Sequence, residues 1–148
     1  MTDQLPRPPT EAESRARPED VDTGFWLWII AVPLMVVGYV VDLVTVPDVA
    51  SGGPRALVYA VSGVFVVVIT SIVLTFLLLM RQGYRWARTL LTGGGAATVV
   101  YAVTNMFNVE RPTVAAMVYA VATIIGSVCI AGGAYLLHRK DAHGFFTR

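Results

Sequence analysis

Arg81-Gln82-Gly83-Tyr84-Arg85-Trp86-Ala87-Arg88 stands between two long apolar hairpins. Arginines at this density cannot enter hydrocarbon cheaply, so the stretch belongs at a membrane surface and its apolar flanks read as membrane helices. Upstream, the run Phe25 to Val46 ends at Pro47 and, at about 1.5 Å per residue, covers about 30 Å of hydrocarbon. Pro33 inside it removes a backbone donor and predicts a bend unless a neighbour meets the freed carbonyl. A turn-rich loop with Pro47, Asp48, Ser51, Gly52 and Gly53 leads to a second helix over about 55–80. Downstream, helices are expected over about 86–107 and 113–137, joined by Asn108-Val109-Glu110-Arg111-Pro112. The fold class is therefore all-α, an integral membrane four-helix bundle running up-down-up-down over residues 24–137.

Composition agrees. The chain of 148 residues is 55% hydrophobic and 14% charged, with a mean hydropathy of +0.64. Soluble domains carry roughly 25% charged residues, so the apolar excess belongs to a bilayer. Residues 1–23, rich in Pro6, Pro8, Pro9, Pro18 and charges of both signs, have too little apolar surface to offset their ordering entropy and are expected to be a disordered tail. They are too long and too acidic for the start of a secretory signal. Residues 138–148 form a second tail. A net charge of +1 gives no reason to expect nucleic acid as a partner. The single cysteine, Cys129, excludes an internal disulfide and reads as a packing residue, while His138 and His143 stand without an acidic cluster that would complete a metal site. No metal and no cofactor is expected.

Nine Lys and Arg residues fall on the tails and the central loop, against Arg55 and Arg111 on the other side. Both termini and the loop are accordingly expected on the cytoplasmic face of an inner (plasma) membrane. Arg81, Arg85, Trp86 and Arg88 are expected at the lipid headgroups, within an aromatic belt that also takes in Trp26, Trp28 and Tyr84. Tyr59 and Tyr119 would mark the opposite interface.

Ala56-Leu57-Val58-Tyr59-Ala60-Val61 matches Ala116-Met117-Val118-Tyr119-Ala120-Val121, and Trp26 matches Trp86 in the same register. Helices one and two could thus be a parallel repeat of helices three and four. Val99-Val100-Tyr101-Ala102-Val103 resembles the same words out of register. In helix four, Ala116, Ala120, Thr123, Ser127, Ala131 and Ala134 share one stripe, and Ala122, Gly126, Cys129 and Gly133 another. Small residues allow the close backbone approach that drives helix association in lipid. Gly126, Gly133 and, in helix three, Gly94 with Gly93 and Gly95 are the expected packing positions, within one bundle or at a homodimer seam.

Asp42 is the only acidic side chain inside an apolar run. Tyr39 lies one turn inward, and Tyr101 and Asn105 of helix three fall at the same depth, so these four form an expected polar cluster. Arg55 and Arg111 are its candidate charged partners. An intramembrane carboxylate raises a proton or substrate site, against the plainer readings of a structural polar knot or an interfacial group. No nucleophile stands beside a base, no carboxylates pair, and the glycines at 93–95 do not follow a strand, so no catalytic residue is expected.

Arg81-Gln82-Gly83-Tyr84-Arg85-Trp86-Ala87-Arg88-Thr89-Leu90-Leu91 resembles the Arg-x-Gly-x-x-Trp-Ala-Arg-x-x-Leu loop of small, uncharacterised four-span membrane proteins of actinobacteria, and Gly144-Phe145-Phe146 resembles their endings. The resemblance implies a four-span fold and carries no activity. The expected function is a non-enzymatic accessory or interaction protein whose partners are the bilayer and either itself or another membrane protein. The alternative is a small proton-coupled solute or drug transporter working as a homo-oligomer, with Asp42 as coupling carboxylate.

Overall fold

The computed structural model describes residues 19–45 and 54–139. The expectations for the outermost tails and for the first turn-rich loop lie outside these residues. Four helices follow one another: α1 (Glu19–Thr45), α2 (Arg55–Arg81), α3 (Arg85–Asn108) and α4 (Thr113–His138). Each is long and apolar enough to cross a membrane. The described residues are all-helical apart from short connections, in keeping with a four-helix bundle, and their exposed apolar surface is suited to lipid.

Boundaries agree with the sequence except at the start of α1, which begins at Glu19 rather than near Phe25. The reason is electrostatic and steric. Glu19, Asp20 and Asp22 fill the first turn, where negative charge complements the helix dipole. Asp22 pairs with Arg81 at 3.0 Å and Asp20 with Arg139 at 3.6 Å, and Val21 between them is fully buried. Five residues assigned to the tail are thereby helix. Pro33 does not end α1, which continues through it with that residue exposed.

The α2–α3 connection is the tight one. Gly83 has φ 92°, a left-handed conformation that glycine adopts without a Cβ clash. Gly83 N–H donates to Met80 O at 3.0 Å and Tyr84 N–H to Leu79 O at 3.3 Å, which satisfies carbonyls at the end of α2. At the other connections Pro54 and Pro112 precede α2 and α4, and their carbonyls accept from Leu57 at 2.8 Å and Ala116 at 2.9 Å.

Consecutive helices are neighbours round the bundle, and α1 with α4 closes it as the most extensive pair. That pair is held by glycines. A Cβ on Gly133 would lie 2.7 Å from Trp28 Cδ1 and 3.2 Å from the Gly24 carbonyl, so here the two backbones themselves approach. A Cβ on Gly126 would meet Met35 Cε at 2.6 Å. In α3 the contacting glycine is Gly95, whose added Cβ would clash with the Trp28 ring and lie 2.8 Å from Ile130 Cγ2. Gly94, expected at a helix contact, is exposed, with nothing within 4 Å of where its Cβ would be. One residue of rotation, about 100° on a helix, separates the two roles.

Trp28 accounts for that geometry. Expected in the interfacial belt, it is instead only 4% exposed and wedges between Gly95 of α3 and Gly133 of α4. Around it lie Phe25 and Ala31 of α1, Leu77 and Met80 of α2, Ala87 and Leu91 of α3, and Ile130 and Leu137 of α4. This core occupies the half of the bundle next to the basic turn. Toward the other end the buried residues, Gly38, Leu43, Ala102, Tyr119, Ala122 and Thr123, come from α1, α3 and α4 only. The buried residues of α2 are Leu77 and Met80, in its last turn and a half. The two hairpins matched in sequence are therefore packed unequally, with α4 enclosed and α2 peripheral.

Candidate functional site

Asp42 lies one turn before the end of α1, and Arg111 lies in the short connection between α3 and α4. Arg111 Nε donates to Asp42 Oδ1 at 2.6 Å, with 2% of the arginine side chain and 16% of the aspartate side chain exposed. Arg111 Nη1 donates to the carbonyls of Asn105 at 3.0 Å and Val109 at 3.1 Å at the end of α3, where Asn105 O also accepts from Val109 N–H at 3.2 Å. The guanidinium carbon stands 3.8 Å from the centroid of the Tyr119 ring, a cation–π stack on a desolvated face. Tyr119 in turn donates its hydroxyl to Ala102 O at 3.1 Å. One arginine thus ties α1, the end of α3 and the first turns of α4 together. The hydrogen bond to Asp42 is the main reason its pKa stands above the usual arginine value, so it is charged at every physiological pH.

Of the expected cluster, Tyr39, Asp42 and Tyr101 line one cavity of about 120 Å³, together with Thr98, Tyr119 and Thr123. Asn105 contributes its backbone carbonyl to Arg111. Arg111 is the charged partner that Asp42 meets. Tyr119, read from sequence only as an interfacial aromatic, is the platform beneath the guanidinium. Its position on α4, two turns beyond Arg111, was the available signal.

At the basic turn the arginines divide. Arg85 and Trp86 are exposed, and Trp86 stacks edge-on against Phe76 with centroids 5.5 Å apart. Arg81 is bonded to Asp22 and stands 4.8 Å from the Phe25 ring centroid. Arg88, expected at the headgroups, is 6% exposed, and its Nη1 donates to Leu137 O at 3.0 Å. It caps a terminal carbonyl of α4, where positive charge also suits the helix dipole. Three hydroxyls inside the helices bond to the preceding turn, Ser71 donating to Val67 O at 2.7 Å, Thr75 to Ser71 O at 2.8 Å and Thr98 to Gly94 O at 2.9 Å, whereas the buried Ser127 Oγ has no partner among the described residues. Among the described residues no group of His, Cys, Asp and Glu could hold a metal ion. No family model, no curated protein and no solved structure matches the chain.

Proposed function

We propose that the protein is a non-enzymatic interaction subunit of the plasma membrane that offers α2 to a partner within the bilayer. The observation that carries this is the sparse attachment of α2. From Arg55 to Phe76 none of its residues is buried, and Leu57, Val64 and Val67 are each about 60% exposed or more. Lipid gives apolar helices no hydrophobic reason to associate, so association rests on packing, which small residues permit. Ala56, Ala60 and Gly63 supply such residues on α2, yet a Cβ on Gly63 would meet nothing within 4 Å. On this face the packing capacity of α2 is unspent among the described residues. In this reading both termini and the basic turn face the cytoplasm, as the distribution of Lys and Arg favours.

A carrier built on Asp42 has less support. A coupling carboxylate must exchange its proton during transport, whereas Asp42 is held by a buried guanidinium. Its position near the end of α1 also departs from the midplane sites of secondary transporters. The test is photocrosslinking in native membranes from position 64 or 68 of α2, with position 128 on the exposed face of α4 as control. Protein adducts of one discrete mass from α2, absent from position 128, are the expected result. Lipid adducts alone from α2 would refute the reading.

A further inference from the structure

Because α2 leaves the bundle above its last turns, a cleft of about 320 Å³ opens between α1, α2 and α3. Its walls include Trp28, Val73, Phe76, Leu91 and Gly94, and they are apolar. The Phe76–Trp86 contact stands at the end nearest the basic turn. Met35 and Thr98 line this cleft and also the polar cavity of Asp42, so the two spaces adjoin. From Trp28 to Asp42 the path along α1 is about 21 Å, the reach of one extended hydrocarbon chain.

We propose that the joined cavities are one binding site for a single-chain amphiphile with an uncharged hydroxyl head, its tail in the cleft and its head at Asp42. Size selects one chain: the cleft sits at the low end of the roughly 300–1,000 Å³ typical of ligand pockets. The polar cavity holds about four waters' worth of volume at ~30 Å³ each, enough for a small head. Charge selects an uncharged head. Asp42 and Arg111 already neutralise each other, so an anion would face the carboxylate and a cation would have the guanidinium behind it. Hydrogen bonding selects a hydroxyl. Asp42 Oδ1 is taken by Arg111, while Oδ2 and the hydroxyls of Tyr39 and Tyr101 have no partner among the described residues. A hydroxyl there donates to the carboxylate and accepts from a tyrosine. This site faces inward from α2 and is independent of any partner on the outward face.

The test uses the full-length protein in nanodiscs of phosphatidylethanolamine and phosphatidylglycerol, with a hexadecanol carrying a mid-chain diazirine as the probe. Photoadducts are expected on Val73 and Leu91, competed by unlabelled hexadecanol and far less by palmitate or hexadecyltrimethylammonium. Gly94→Leu places a side chain in the cleft without meeting a neighbour at Cβ and should abolish these adducts. Val73→Trp fills the same space from α2 and serves if the first variant fails to fold. Tyr101→Phe should weaken labelling about two- to tenfold, the worth of one hydrogen bond. Adducts as dense on Val64 as on Val73, or labelling that persists in both filled variants, would overturn the site. Equal competition by palmitate would overturn the uncharged head.

Discussion

A buried ion pair is worth most when one asks what happens if half of it is removed. Asp42→Asn alone leaves the Arg111 charge in a desolvated pocket, and Arg111→Met alone leaves the carboxylate there. Each single change should cost about 3–5 kcal/mol, while Asp42→Asn combined with Arg111→Met should recover much of the loss. Thermal unfolding in mild detergent reads this cycle, and additive losses would mean that the two residues do not act as a pair. The pH dependence has a definite sign on the arginine side. Asp42 raises the Arg111 pKa, so the contribution of that cation is full below the ordinary arginine value and is lost only as pH rises through the higher folded value. Moving from neutral to mildly alkaline buffer should therefore not release Arg111.

At the scale of helices, glycines separate contacts from free surface. Gly133→Leu should cost the most, because its Cβ meets the Trp28 ring and the Gly24 backbone, and a backbone cannot turn aside. Gly95→Leu meets the same ring and Ile130. At Gly126 the obstacle is the flexible end of Met35, so its loss should be smaller. Overpacking of this kind costs about 1–3 kcal/mol, whereas Gly94→Leu and Val68→Leu should stay within about 0.5 kcal/mol of wild type. Melting temperatures of the five variants in one detergent check the order, and a Gly94→Leu loss equal to that of Gly133→Leu would contradict it. Periodicity alone located the helical face to within one residue. It could not choose between Gly94 and Gly95, because that choice depends on where the indole of another helix arrives.

For the whole molecule, α1, α3 and α4 form a packed unit along their length, and α2 joins them firmly near the basic turn. Orientation in the membrane is the corresponding prediction. Reporter fusions at residue 82 should read cytoplasmic and fusions at residue 110 external, since Lys and Arg gather on the side of the basic turn. An external reading at residue 82 would reverse the proposed topology. That Arg81 and Arg88 also bond within the bundle does not weaken the bias, which depends on charge near the helix ends rather than on its contacts.

Helix number, approximate limits and all-helical class were legible in the sequence, because they follow from the hydrocarbon thickness and from the cost of an unpaired backbone in lipid. Asp42 as an exceptional residue was legible for the same reason, with Arg111 already one of two candidate partners. Tertiary structure alone decided that Arg111 rather than Arg55 meets it, that Trp28 is a wedge rather than a belt residue, that Arg88 caps α4, and that α2 stands apart. Each of these depends on the rotation and tilt of one helix against another. Apolar residues surround every helix of a membrane protein, so hydropathy carries little information about which face turns inward; that is set by close contacts between residues distant in the chain.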